Sequence, residues 1–239
     1  METMYETLLK MPLFQGLSEE EVTRIIGKVK LHFQKYRAGS VIFKRGDICD
    51  SLTFLLKGEL MMESSDKDNN FVLKEFEEAP ALIELHSLFG INTNYFSNYI
   101  AETDVDLISI DKSFILTELD KYDIFRLNFR NVISNRAQQL HEKLWQNNYS
   151  CLESKMVDFL LDRCEISFGK KQLKIKMEDF ALIIGETRLS VSKCLNNLEK
   201  EGLVFLRRTE IEIPDLNLLK EWKNRFLESL SCNKEIVNQ

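Results

Sequence analysis

Nowhere do the 239 residues hold an uninterrupted apolar run of about 18, the length a bilayer-spanning helix needs. No basic-then-apolar leader opens the chain either, so neither membrane insertion nor secretion is expected. The five cysteines (Cys49, Cys151, Cys164, Cys194 and Cys232) are scattered, odd in number and without a C-x-x-C pair. That pattern argues for reduced thiols in a cytoplasm and against a zinc knuckle. No nucleophile motif, P-loop, H-E-x-x-H or other cluster of metal ligands appears, so neither an enzyme nor a metal site is expected. No low-complexity, collagenous or disordered bias is present, and the length suffices for two modest cores.

An excess of positive charge is missing as well: the net charge is −6. Its distribution says more than its sum. Between Phe168 and Arg208 nine Lys and Arg face five Asp and Glu, which gives this segment +4 and leaves −10 for the remainder. An acidic body with a basic end-piece fits a protein that touches nucleic acid with one domain only.

The basic segment contains Met177 to Val204, which reads as two short helices joined by a tight turn. Phe180, Ala181, Ile183 and Ile184 give the first helix its expected buried side. Gly185 follows where a helix must stop and turn. Thr187 is placed to cap a second helix, whose Val191, Leu195 and Leu198 recur as one apolar stripe. The opposite face carries Arg188, Leu189, Ser192, Lys193 and Asn196, cationic and amide groups suited to base edges and phosphates. Thr187, Ser190 and, on the wing side, Lys171 complete the expected DNA-contacting set. Leu203–Leu206 and Ile211–Ile213 suggest a β-hairpin wing, with Gln172–Lys176 as a further strand.

Upstream, Ser18 before Glu19-Glu20-Glu21 is a capping box opening a helix within residues 1–30. From His32 to Asp111 the pattern changes to short extended runs punctuated by Gly, Asn and Asp turns, which suggests an antiparallel barrel or jelly roll. Its interior is a natural small-molecule pocket. Residues 113–147 read as one long helix in which Leu119, Tyr122, Phe129, Ile133, Leu140 and Leu144 approach a heptad seam interrupted by Arg126 and Arg136. Tyr149–Ser150 looks like a hinge. After Pro214 a tail with Leu216, Leu219, Trp222, Phe226, Leu227 and Leu230 at helical spacing is expected to pack on the small domain.

Two motifs then carry a resemblance. Ala38 to Asp47, Asp50 to Leu60 and Ala101 to Ile110 look like the β-roll of cyclic-nucleotide-binding domains. Gly185-x-x-Arg188-x-x-Val191-Ser192-Lys193-x-Leu195-x-x-Leu198-x-x-x-Gly202-Leu203-Val204 resembles the helix-turn-helix of the Crp/Fnr regulators. Both occur in family order and together span nearly the whole chain. The resemblance implies an α+β fold in three parts: a β-roll sensor over 1–112, a dimerisation helix over 113–148, and a winged helix-turn-helix with a helical extension over 149–239. It implies a homodimeric, sequence-specific transcription regulator on an inverted-repeat operator in double-stranded DNA, with RNA polymerase a candidate partner. Tyr122, Phe129, Ile133 and Leu140 would line the dimer interface.

The chain also departs from the family. Nucleotide-binding members use a Gly-Glu pair on the ribose and an Arg followed by Ser or Thr on the cyclic phosphate. Residues 80–100 hold no Arg or Lys, and Tyr95 falls roughly where that Arg would stand. A buried phosphate without a cation is costly, so cyclic AMP is not the expected effector. Glu84, His86 and Tyr95 are the candidate pocket residues for an effector of unknown identity. The iron–sulfur branch needs an N-terminal cysteine cluster, and residues 1–48 contain no cysteine. A haem-sensing branch leaves haem open as a cofactor, with His86, His141, Met61 and Met62 as available donors. The rival reading is a haem- or small-molecule-binding interaction module without DNA binding.

Overall fold

The computed structural model describes residues 4–28, 30–145 and 151–237. They form two compact units, one of Met1–Met62 with Glu77–His141 and the other of Glu63–Phe76 with Glu142–Gln239. The expected hinge at Tyr149–Ser150 lies outside the described residues.

The first unit opens with α1 (Met4–Lys10) and α2 (Glu19–Ile26). The capping box is formed: the Ser18 hydroxyl accepts from the Glu21 N–H at 3.2 Å, and the Ser18 N–H donates to the Glu21 carboxylate at 2.8 Å. The roll follows in β1 (Leu31–Tyr36), β2 (Val41–Phe43), β3 (Ser51–Lys57), β4 (Glu59–Ser65), β5 (Phe71–Glu78), β6 (Ala81–Ile83), β7 (Asn98–Ala101) and β8 (Val105–Asp111). One antiparallel sheet runs β1-β8-β3-β6, and β4-β7-β2 are neighbours in a second. Gly58 turns β3 into β4 at φ 90°, and the Asp104 carbonyl oxygen occupies the space a Cβ would need, so a side chain there would be both strained and crowded. Leu52, Phe54 and Leu55 of β3 alternate too little for a sheet with one wet face; all three are buried, because β3 is interior to its sheet and the Phe14 ring lies 5.7 Å from that of Phe54.

The single helix expected over 113–147 is broken. α3 (Lys112–Thr117) ends at Glu118, Leu119–Lys121 make one 3-10 turn, and Tyr122 is extended before α4 (Asp123–Trp145) begins. Ile115, Leu119 and Phe125, each under 5 % exposed, enter one core across the break. The expected end of that helix at 147–148 lies outside the described residues.

The second unit contains α5 (Leu152–Arg163), β9 (Lys171–Ile175), α6 (Met177–Ile184), α7 (Arg188–Lys200), β10 (Phe205–Arg207), β11 (Glu210–Ile213) and α8 (Leu216–Val237). Leu216 and Leu219 of α8 are fully buried and Trp222 packs against the same core, so the tail docks on this unit as expected. The unit also takes in the outer half of the β4–β5 hairpin. Phe71 to Glu75 pair antiparallel with Ile175 to Lys171, giving the strand order β10-β11-β9-β5, and Leu73 sits in the core with Val157, Leu173 and Leu195. A boundary drawn at residue 112 does not anticipate this insertion. No helix among the described residues is long and apolar enough to cross a membrane.

Candidate nucleic-acid interface and the interior of the roll

α6 stops at Gly185, whose φ of 73° lies in the left-handed region. The Gly185 and Glu186 N–H groups donate back to Leu182 O and Ala181 O, closing the helix end. α7 starts three residues later, at Arg188. The Thr187 hydroxyl accepts the Ser190 N–H at 3.1 Å and lies 2.8 Å from the Ser190 hydroxyl, so both expected DNA-contacting hydroxyls are engaged in the cap. Val191, Cys194, Leu195 and Leu198 are buried. Arg188, Leu189, Lys193 and Asn196 are exposed and Ser192 is half-buried. At about 100° per residue these five fall within about 140° of the helix circumference, away from the buried stripe. The sequence therefore brings one polar, cation-bearing face to solvent, with the apolar Leu189 between Asn196 and Lys193.

Ile183 is not on the buried side expected for it. It is 40 % exposed and its neighbour Leu182 81 %, because α6 is only eight residues long and Phe180, Ala181 and Ile184 suffice to seat it. Glu178, in the first turn of α6, was not singled out by sequence, yet its carboxylate accepts from Arg188 Nη1 at 2.9 Å. Ten residues of separation across a turn leave no helical spacing to reveal such a pair. Glu186 is tied in turn to Lys155 of α5 at 2.8 Å.

The wing carries its own correction. Lys171, expected to touch DNA backbone, is fully buried. Its ammonium donates to Phe168 O at 2.7 Å and lies 3.6 Å from the Glu75 carboxylate, itself fully buried. Glu75 also accepts the Glu165 and Ile166 N–H groups at 2.8 and 2.9 Å. Burial pushes the Glu75 carboxyl up, against those two donors and Lys171. The cause is topological: β9 would be an edge strand of the wing, but β5 covers that edge and seals Lys171 beneath it. On the other edge Arg207 pairs with Glu212 at 3.2 Å, and Arg208 is exposed beside Thr209, whose φ of 60° makes the hairpin turn.

Inside the roll, Glu84 and Tyr95 are buried. Glu84 adopts a left-handed backbone, φ 39° and ψ 46°. Its carboxylate accepts from Ser87 Oγ at 2.5 Å, from the Phe96 N–H at 2.7 Å and from the Tyr99 hydroxyl at 3.1 Å. Burial raises its pKa against these donors. Tyr95 stacks on Phe43 at 4.3 Å and meets Tyr99 edge-on at 6.0 Å, and burial raises its hydroxyl too. His86 is half-buried instead, its ring against Phe96 at 6.0 Å. Of the other candidate haem donors, Met62 is buried with its sulfur 3.4 Å from the Tyr99 hydroxyl, and His141 is exposed on α4. No group of three or more His, Cys, Asp or Glu arranged to hold a metal occurs among the described residues.

The expected dimer residues divide. Tyr122, Phe129 and Ile133 are half-buried against their own roll, whereas Leu140 is 49 % exposed.

Residues 33–122 match the cyclic nucleotide-binding domain, and residues 154–222 match the Crp-like helix-turn-helix domain. The global nitrogen regulator of Synechococcus elongatus is 26% identical over 206 residues, 78% of this chain and 87% of the relative. The cyclic AMP receptor protein of Thermus thermophilus is 23% identical over 217 residues, 88% of this chain and 95% of the relative. The crystal structure of the Thermus thermophilus catabolite activator protein covers 88% of this chain and 97% of its own at 18% identity, with a TM-score of 0.47. Both domain matches fall in the order the two units present, and the chain belongs to the Crp/Fnr family of DNA-binding transcription regulators.

Proposed function

We propose that the protein regulates transcription in the cytoplasm as a homodimer on an inverted-repeat operator, with RNA polymerase as a further partner and an effector other than cyclic AMP. The observation that carries this reading is the open face of α7: a capped helix presenting Arg188, Leu189, Lys193 and Asn196 to solvent. Arg188 has the fork geometry for a guanine edge, and Lys193 and Asn196 suit phosphate or base contacts. Leu189 cannot accept a hydrogen bond and suits a thymine methyl, so the operator differs at that position from sites read by an acidic residue. Twofold pairing through α4, where Phe129, Ile133 and the exposed Leu140 follow one another at seam spacing, would set two such helices on one duplex. The effector reading rests on the roll interior, where Glu84 is satisfied by its own chain and Phe43, Tyr95 and Tyr99 pack together.

Selection from a random duplex pool tests the reading. The expected product is an inverted repeat with half-site centres about one helical turn apart, bound by two chains in sedimentation. Millimolar cyclic AMP should change neither affinity for that duplex nor melting temperature, whereas a tight ligand at a hundred times its Kd would add ~2.7 kcal/mol. Failure to enrich any sequence would remove the operator reading. A thermal shift with cyclic AMP would remove the effector reading.

A further inference from the structure

We propose that Glu178 is a specificity-determining residue for DNA: by holding Arg188, it turns a cation that could grip any phosphate into one that reads a base. This role rests on Arg188 being a base reader, and deepens that assignment.

Arg188 is the first residue of α7 and Glu178 belongs to the first turn of α6, so two helix starts meet at this pair. The contact is 2.9 Å, with side-chain exposures of 68 % and 61 %. A pair this open does little to hold the fold. The fold has other fastenings here: the Gly185 turn, the Thr187 cap and buried Val191 fix α7 without it. What the pair does fix is direction. A free arginine samples many rotamers, and ordering it on binding costs affinity, so an arginine held in advance by a neighbour loses less. With Nη1 engaged by Glu178, the guanidinium retains other N–H groups in its plane for the O6 and N7 acceptors of guanine.

Charge supplies the discrimination. A phosphate oxygen approaching Arg188 must also approach the Glu178 carboxylate, a like charge well inside the Debye length of about 8 Å at physiological salt. A guanine edge offers neutral acceptors and meets no such repulsion. The five residues of the reading face of α7 contain no carboxylate, so the acid acting on Arg188 comes from the neighbouring helix. Replacing Glu178 by a neutral residue should free Arg188 for backbone contacts, raising affinity for every duplex while blunting the preference at one base pair per half-site.

The test uses the full chain as wild type, Glu178→Gln, Glu178→Asp and Arg188→Ala. The duplex enriched from a random pool by the wild type, its single base-pair substitutions and a scrambled duplex of equal length are titrated across ~50–200 mM salt. Glu178→Gln is expected to bind the scrambled duplex more tightly, to steepen the salt slope by about one unit per chain, and to lose roughly tenfold discrimination at the base pair that depends on Arg188. Glu178→Asp, which keeps the charge, should restore part of that discrimination. A thermal melt serves as control, since a merely structural role would move the melt and leave base preference alone. If Arg188→Ala abolishes preference at one base pair while Glu178→Gln keeps both preference and salt slope, Glu178 has no such role. If Arg188→Ala lowers binding to all sequences alike, the base-reading assignment itself fails, and the role of Glu178 with it.

Discussion

Lys171 and Arg188 are two cations of the same unit, each standing near the start of an element and each beside a glutamate. One is sealed and the other is open. The Lys171–Glu75 pair has no exposed surface, and the carboxylate takes two backbone N–H groups besides. The Arg188–Glu178 pair is shorter, yet mostly solvated. The difference shows that what a cation can do is decided by the strand or helix that covers it. β5, arriving from a distant part of the sequence, covers β9 and withdraws Lys171 from any duplex, while nothing in the described chain covers the start of α7.

The largest effect should come from breaking the sealed pair. Glu75→Ala would leave the buried Lys171 without its counter-charge, held only by the Phe168 carbonyl, and would strand the Glu165 and Ile166 N–H groups. Losing one member of a buried pair costs about 3–5 kcal/mol. Trp222 packs against this unit's core, so denaturant unfolding followed by tryptophan fluorescence reads it. Replacing both members, Glu75→Leu with Lys171→Met, should recover only the part of the loss due to the lone charge, because the Glu165 and Ile166 N–H groups stay without their acceptor. A cost below about 1 kcal/mol for Glu75→Ala would mean that the pair behaves as a solvated one and that Lys171 is within reach of DNA after all.

A smaller effect separates the sealed Lys171 from an open cation of the α7 face, Lys193, on DNA itself. Lys193→Ala removes an exposed charge from the α7 face and should reduce the salt slope of operator binding by about one unit for each phosphate that Lys193 neutralises. The charge-free double variant at positions 75 and 171 should leave that slope unchanged. A slope reduced equally in both would return Lys171 to the DNA interface.

How much of this was legible in the sequence follows the same division. Devices confined to a few neighbouring residues were readable. Ser18 with Glu21, Gly185 with Thr187, and Val191 with Leu195 and Leu198 all signal through fixed local spacing, and each stands where that spacing puts it. The roll and the wing were readable as short extended runs between turns. Pairings across long stretches were not. The ladder between Phe71–Glu75 and Lys171–Ile175 joins segments with no shared pattern, so Lys171 read as one more exposed lysine of a basic segment. The break before α4 was hidden for a related reason: Leu119 and Tyr122 fit a heptad register that runs on across the turn, so local spacing does not mark it. In the roll, sequence marked Glu84 and Tyr95 together with His86, but not that the first two face inward while His86 rests half-buried on Phe96.

The smallest expected effect asks whether a buried carboxylate without a cationic bond partner behaves differently from Glu75. Glu84 is held by neutral donors: the Ser87 hydroxyl, the Phe96 N–H and the Tyr99 hydroxyl. Cys49, Tyr95 and His86 complete the titratable groups acting on it, with His86 favouring the carboxylate and burial opposing it more strongly. The net direction is a folded-state pKa above the ordinary 4.5. The protonated acid is therefore the better tenant of the fold. Its contribution to stability is full below about pH 4.5 and is lost as pH rises through the raised folded-state value. Glu84→Gln keeps an acceptor for the Phe96 N–H and stays neutral throughout, while Ser87 and Tyr99 can turn their hydroxyl oxygens toward the new amide. Wild type and variant should melt together at acid pH, and the variant should gain by a few degrees as pH approaches neutrality, followed by circular dichroism. A variant that instead falls behind the wild type as pH rises would show that three neutral donors hold the Glu84 carboxylate more firmly than burial opposes it, and Glu84 would then need no cation to remain charged inside the roll.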